Sequence, residues 1–99
     1  MALKLQIITP EYVIFDGEVD SVIVPGKGGQ FQMLENHAAI VSTLETGRIE
    51  IHTHTKEEVD YKNDLGKLEM SPSDSKIMYL SIEGGILEMN NNKCIILAE

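Results

Sequence analysis

Hydrophobic and more polar residues alternate with a period of two along most of the chain. Leu3, Leu5 and Ile7 show the pattern near the start, and Ile49 and Ile51 show it in the middle. Successive side chains of a strand point to opposite faces of a sheet, so this alternation is typical of strands that bury one face. Further short, mainly apolar runs occupy residues 12–15, 22–24, 77–82 and 94–98, and Leu87 and Met89 alternate with Glu88. The pattern therefore predicts β-strands over most of the chain.

Turn-forming residues separate these runs at spacings of about ten residues. The clearest breaks are Asp16-Gly17, Pro25-Gly26, Gly84-Gly85 and Asn90-Asn91-Asn92. No stretch of about a dozen residues shows the spacing and capping residues of a surface helix. Because each alternating strand has one apolar face to cover, two sheets must stack. We predict an all-β fold, a two-sheet antiparallel β-sandwich of about eight to ten short strands.

The length and composition fit one small globular domain. The chain has 99 residues, of which 42% are hydrophobic and 24% charged, and such values are ordinary for a domain with one core. The segment from His52 to Lys76 is more polar than the rest and still shows some alternation. We therefore predict a single β-sandwich domain over residues 1–99, with an extended polar hairpin region at about 52–76.

The net charge of −8 and the pI of about 4.7 narrow the classes of partner. Nucleic-acid binding needs a basic patch, and the eight Lys and Arg residues are scattered along the chain, so no DNA or RNA partner is expected. An acidic surface fits a basic protein partner or high solubility. Cys94 is the one cysteine and lies in an apolar run, which indicates a buried thiol rather than a nucleophile.

The stretch from Gly26 to Gly29 raises the question of a phosphate site. A P-loop requires Ser or Thr after its lysine and a helix behind it, whereas Gly28 follows Lys27 and a strand-like sequence follows the loop. The dinucleotide pattern G-x-G-x-x-G also fails, because its last glycine falls on Phe31. We interpret the stretch as a tight turn that needs a positive φ, and we expect no cofactor and no nucleotide binding.

His52, His54 and Glu58 are the candidate metal ligands. Two histidines two residues apart on a strand point to one side, and with the following glutamate they come close to the first motif of the cupin family, G-x5-H-x-H-x3,4-E-x6-G. For this motif, Gly47 lies one residue too close to His52 and Gly66 one residue too far from Glu58. The motif also requires a later histidine in the chain, and no histidine follows His54. A small cupin-like metal-binding protein is therefore the alternative to histidines on the solvent face of a strand.

The sequence contains no recognisable set of residues for hydrolytic catalysis. Ser42 and His37 are present, but no G-x-S-x-G motif surrounds a serine. Glu57 and Glu58 are adjacent, so on a strand they point to opposite faces. We therefore expect that the protein is not an enzyme. A free-standing ligand-binding sandwich is a third hypothesis, and it would need an apolar pocket that the sequence does not locate.

The residues after the glycines fit a protein-contact loop. Phe31, Met33 and Leu34 alternate with polar residues, and His37 is followed by Ala38 and a second alanine. Small side chains let another backbone approach closely, and methionine and aromatic residues are common in packed interfaces. The loop therefore indicates a surface for another protein.

Four pairs of stretches, in chain order, carry a family resemblance. They are ITPE (8–11) with FDGEV (15–19), VPG (24–26) with GQF (29–31), LENHA (34–38) with LETGRI (44–49), and GGILEM (84–89) with ILAE (96–99). The chain resembles the epsilon subunit of F-type ATP synthase, in its N-terminal β-sandwich domain. The resemblance covers most of the chain outside 52–76.

The resemblance implies a central-stalk rotor component of proton- or sodium-driven ATP synthesis rather than a catalyst. One side would bind the γ subunit, and the bottom loops would rest on the c-ring. It assigns the c-ring contact to Lys27, Gly28, Gly29, Gln30 and Phe31, and the γ contact to Thr9, His37, Ala38 and Ser42. The family's ring loops carry an arginine and a glutamine, which an acidic foot complements. It also implies a peripheral place on the cytoplasmic face of the bacterial inner membrane.

Some positions depart from the family's pattern. The family usually has a glycine and an aliphatic residue at Gln32-Met33, a proline at Glu35, and in many members an acidic residue at Gln30. Typical members continue into an inhibitory two-helix domain after the sandwich. Because this chain reaches only Glu99, we expect it to couple the stalk to the ring without the inhibitory two-helix domain.

Overall fold

A computed structural model describes residues 3–53, 59–61, 68–73 and 76–99, and in these ranges every regular element is a strand. Those residues contain no helix long and apolar enough to cross a membrane. The eleven strands of the described residues are β1 (Leu3–Ile8), β2 (Val13–Val19), β3 (Ser21–Gly26), β4 (Gly29–Leu34), β5 (Ile40–Leu44), β6 (Gly47–His52), β7 (Val59–Tyr61), β8 (Leu68–Met70), β9 (Ile77–Ile82), β10 (Gly85–Asn90) and β11 (Lys93–Ala98).

The strands form two sheets that meet at one point. Sheet I has the order β7-β2-β1-β11-β10-β5, and sheet II has the order β4-β3-β6-β9-β8. The two sheets are joined where Gly26 at the end of β3 pairs with Leu44 at the end of β5. The predicted all-β fold with two stacked sheets is confirmed. The strand count slightly exceeds the expected range because two three-residue strands, β7 and β8, lie in the polar segment.

A single hydrophobic core lies between the sheets, where alternate residues of both point inward. Both sheets contribute fully buried large side chains, with more from sheet I than from sheet II: Leu3, Leu5, Ile7, Phe15, Val19, Leu87, Met89 and Ile96 from the first, and Met33, Ile49, Ile51 and Met78 from the second. The alternation that predicted the strands therefore correctly identifies their inward faces in β1, β6 and β10.

One feature of β2 interrupts the alternation. Ile7 of β1 faces Phe15, but Ile8 faces Val13, so Ile14 is an extra residue in β2. This β-bulge lets Ile14 and Phe15 both turn into the core, where each is less than 5% exposed. The apolar run at 12–15, which fits no period of two, is explained by this bulge.

One strand pair is parallel, in contrast to the antiparallel arrangement that the sequence suggests. The first and last strands, β1 and β11, lie side by side and run in the same direction. Gly85 lets β10 and β11 approach closely at the end of this sheet, since a Cβ there would lie 2.4 Å from the backbone oxygen of Leu97. Cys94 of β11 is buried, as predicted, and its burial raises the pKa of the thiol to about 12.

The described strands in the polar segment join existing sheets. β7 pairs with β2 at one edge of sheet I, and β8 pairs with β9 at one edge of sheet II. Thr53 and Ser71 are buried beside them, and the hydroxyl of Thr53 donates to the backbone oxygen of Lys76 at 2.9 Å. The hairpin prediction for 52–76 otherwise concerns residues 54–58, 62–67 and 74–75, which lie outside the described residues.

Candidate protein-interaction surfaces

The β3–β4 turn projects from one end of the sandwich. Lys27, Gly28, Gly29 and Gln30 are all exposed, and a methyl group built on either glycine would have no neighbour within 4 Å. Gly29 has a φ of 129°, which L side chains rarely adopt, so the predicted turn with a positive φ is present. The turn is tied to β5, since the Lys27 amide donates to the backbone oxygen of Thr43 at 3.1 Å. Its exposed tip is therefore free to contact another molecule.

Phe31 plays a different part from the other four residues assigned to the ring contact. Its ring is half-buried against the core and covers Gly26, where a Cβ would lie only 2.5 Å from Cε1 of the ring. Pro25 packs in the same way over Gly47, at 2.7 Å from a Cβ built there. Phe31 thus supports the turn from below, and the exposed residues Lys27 to Gln30 form its outer surface.

The end of the molecule that carries this turn is acidic. The connections β1–β2, β5–β6 and β9–β10 and the end of β11 all lie at this end, which we call the glycine-turn end. Each contributes one exposed glutamate to it: Glu11, Glu45, Glu83 and Glu99. The Arg48 guanidinium stacks on the Tyr79 ring at 4.0 Å on the outer face of sheet II, and Arg48 lines a surface depression together with Glu83 and Glu99. The glycine-turn end therefore carries four exposed carboxylates and one nearby arginine.

The residues assigned to the γ contact lie around sheet I. Thr9 follows β1 at the glycine-turn end, where its hydroxyl donates to the backbone oxygen of Tyr12 at 3.2 Å. His37 and Ala38 lie in the β4–β5 loop at the opposite end. The Nδ1 atom of His37 is 2.7 Å from the backbone oxygen of Ala38. The structure therefore places Thr9 at one end of the sheet and His37 with Ala38 at the other, and Ser42 lies within β5.

Exposed hydrophobic side chains lie on the outer face of sheet I, most of them towards the glycine-turn end. Ile86 is 50% exposed and pairs across the strands with Leu97, which is 51% exposed, and Leu97 in turn pairs with Ile8. Val41 on the neighbouring strand β5 is 70% exposed, and Val13 beyond Ile8 is 44% exposed. Val41 pairs with Glu88 and lies diagonal to Ile86. Several exposed apolar side chains on neighbouring strands of a small protein indicate an interaction site. We call these five apolar residues the outer apolar patch.

Ser42 does not belong to the outer apolar patch. It lies opposite Leu87 in the β5–β10 pair, and Leu87 is buried. Its side chain therefore lies on the inward side of β5, whereas Val41 and Thr43 lie on the outward side. The assignment of Ser42 to the γ contact remains a prediction, and any such contact would run along the edge of β5.

The metal alternative receives no support. His52 lies on the outer face of sheet II, where its Nε2 atom is 2.5 Å from Oε2 of Glu50. His54 and Glu58 lie outside the described residues. Among the residues that the structure does describe, no three His, Cys, Asp or Glu side chains are grouped as metal ligands. His52 has a carboxylate partner that accounts for its position without a metal.

Several known sequences match the chain over nearly its whole length. A family model described as "ATP synthase, Delta/Epsilon chain, beta-sandwich domain" matches residues 2–78. The chain is 35% identical over 98 residues to the ATP synthase epsilon chain of Chlorobium limicola, covering 99% of this chain and 90% of that protein. It is 37% identical over 97 residues to the epsilon chain of Leptospira interrogans, but covers only 61% of it.

Solved structures share the fold at lower identity. A chain in the Euglena gracilis mitochondrial ATP synthase, in a structure of OSCP, F1 and c-ring, superposes with a TM-score of 0.70 at 18% identity, over 98% of this chain and 50% of that one. A chain in the Tetrahymena thermophila central stalk and c-ring gives 0.67 at 15% identity, over 99% and 63%. These two show the fold alone. By the family match and the epsilon-chain identities, the chain belongs to the β-sandwich domain family of the ATP synthase delta and epsilon chains.

Proposed function

We propose that this protein is a rotor subunit in the central stalk of an F-type ATP synthase, where it couples the γ subunit to the c-ring during ATP synthesis. The observation that carries the proposal is the epsilon-chain identity that extends over 99% of this chain and 90% of the Chlorobium limicola protein. A match over nearly all of both chains concerns the whole sandwich, including both of its candidate surfaces.

The outer apolar patch is the surface best suited to the γ subunit. Its exposed Val41, Ile86 and Leu97 would gain free energy on burial against a second protein. Thr9 borders the patch at one end, and the loop with His37 and Ala38 borders sheet I at the other. A partner that lies along the strands from end to end would contact Thr9 and this loop and would bury the patch.

The glycine-turn end is the surface best suited to the ring. The exposed residues Lys27 to Gln30 project there among four glutamates. Carboxylates around a protruding turn would complement a basic residue on the polar loops of a ring subunit, and such pairs orient the partner more than they add affinity. The residues of this end thus differ in character from the apolar face proposed for γ, as expected for a subunit with two different neighbours.

The proposed role is mechanical rather than catalytic. The sheets are continuously hydrogen-bonded and enclose one close-packed core, and such an interior resists deformation. A body of this kind can transmit torque from the ring to γ without deforming between its two contact surfaces. The role requires a peripheral position on the membrane, and we propose the cytoplasmic face of a bacterial inner membrane.

Co-expression with the γ subunit of the same synthase tests the proposal. Native mass spectrometry should find a one-to-one complex, and the complex should be lost in the variant His37→Glu with Ala38→Glu. Two carboxylates placed in a packed interface would lose hydration without partners. The exposed position of Ala38 and the half-buried position of His37 should let the variant fold. A wild-type chain that never co-purifies with γ would refute the proposal.

A further inference from the structure

Two asparagines link the β4–β5 loop to the β10–β11 turn. The backbone N–H of Asn36 donates to Oδ1 of Asn92 at 2.5 Å, and Nδ2 of Asn92 donates to Oδ1 of Asn36 at 3.2 Å. The two residues are 56 positions apart in the chain. The backbone oxygen of Asn92 also accepts from the Lys4 amide at 2.9 Å. We call the Asn36–Asn92 pair the asparagine clasp, and it joins the loop to the ends of three other strands.

The backbone at both residues suits asparagine. Asn36 has a φ of 66° and Asn92 a φ of 60°, and both values lie in the left-handed region. Asparagine and aspartate enter this region more readily than other residues with a side chain, apart from glycine. Each position therefore needs a residue that tolerates the conformation, and the clasp in addition needs a side chain with one acceptor and, at Asn92, one donor.

The clasp acts immediately before the residues proposed to contact γ. Asn36 precedes His37, whose amide closes the turn by donating to the backbone oxygen of Leu34 at 3.1 Å. The clasp therefore anchors the loop at the residue directly before His37. Resting on the proposed function, we infer that the asparagine clasp is a positioning device that holds His37 and Ala38 in their binding position before γ arrives. A preformed loop avoids the ordering cost that a mobile loop adds to binding.

The test compares three variants by two measurements. Asn92→Gly keeps the left-handed backbone but removes both side-chain bonds of the clasp. Asn92→Asp keeps the acceptor for the Asn36 amide. Asn91→Gly is the matched control, because Asn91 lies in the same turn with a φ of 51° and takes no part in the clasp. The measurements are hydrogen exchange of the Asn36 and His37 amides in the isolated chain, and the Kd for γ.

We expect exchange in Asn92→Gly to be faster by about tenfold and γ binding to be weaker by about three- to tenfold, as expected for the loss of one or two modest hydrogen bonds. Asn92→Asp should recover most of the protection, and Asn91→Gly should match the wild type. Unchanged exchange in Asn92→Gly would overturn the clasp, and faster exchange with unchanged affinity would overturn its positioning role. A wild-type chain that does not bind γ would instead refute the proposed function, while exchange in the isolated chain would still report on the clasp.

Discussion

Serine substitutions at Ile86 and Leu97 test the outer apolar patch most specifically. The two side chains face each other across β10 and β11, and each is about half exposed, at 50% and 51%. Full burial of such a side chain contributes roughly 1.5–3 kcal/mol, so burying the exposed half against γ should contribute about half of that for each. The double variant Ile86→Ser with Leu97→Ser should therefore lose about 1.5–3 kcal/mol of binding free energy, or about 10- to 150-fold in Kd.

The assay is isothermal titration of γ with each folded variant, and Ile23→Ser provides the control. Ile23 is partly exposed on the outer face of sheet II, where it lies between Gln32 and Glu50. Ile23→Ser should lower the melting temperature at least as much as Ile86→Ser, since more of the Ile23 side chain is buried. Only Ile86→Ser should weaken γ binding. Equal Kd values for wild type and the double variant would refute the assignment of this face to γ.

Two further predictions concern the fold. Gly85→Ala should lower the melting temperature clearly, because the new Cβ would lie 2.4 Å from a backbone oxygen of the adjacent strand. Gly28→Ala should be nearly neutral, because the space around the new methyl group is open. Equal melting temperatures for the two variants would contradict this prediction. The thiol of Cys94, whose pKa burial raises from 9.0 to about 12, should resist thiol reagents at pH 8 until the chain unfolds. Since the pKa of the thiol is higher in the folded than in the unfolded chain, the contribution of Cys94 to stability is complete below about pH 9 and is lost as the pH rises towards 12. Rapid labelling of Cys94 in the native protein would contradict its burial.

The strands that alternate strictly could be predicted from the sequence. In β1 and β6 the inward residues are those that the period of two selects. In Val13–Phe15 and Ile95–Leu97 every residue is apolar, so the alternation does not reveal which side chains face the core. There the structure decides by long-range pairing: the bulge opposite Ile8 turns Ile14 inward, and the pairing with β1 and β10 turns Leu97 outward. The outer apolar patch is hidden in the sequence for this reason.

The local chemistry of the candidate surfaces was predictable, but their arrangement was not. The glycines and Lys27 indicated an exposed turn, because turn conformation depends on nearby residues. The parallel pairing of β1 with β11, by contrast, joins the two ends of the chain and leaves no local signal. That pairing places Thr9 beside Leu97, and the asparagine clasp across 56 positions likewise depends on distant strands.

We propose that the sandwich has two separate neighbours, γ on the outer face of sheet I and the ring at the glycine-turn end. Photo-crosslinking in membranes that contain the whole synthase distinguishes the two contacts, with the crosslinker introduced in turn at Ile86, at Gly28 and at Glu69, which is exposed on the edge strand β8 of sheet II. We expect a γ adduct from position 86, a ring-subunit adduct from position 28, and neither from position 69. Adducts of positions 86 and 28 with the same subunit, or with no subunit of the synthase, would contradict it.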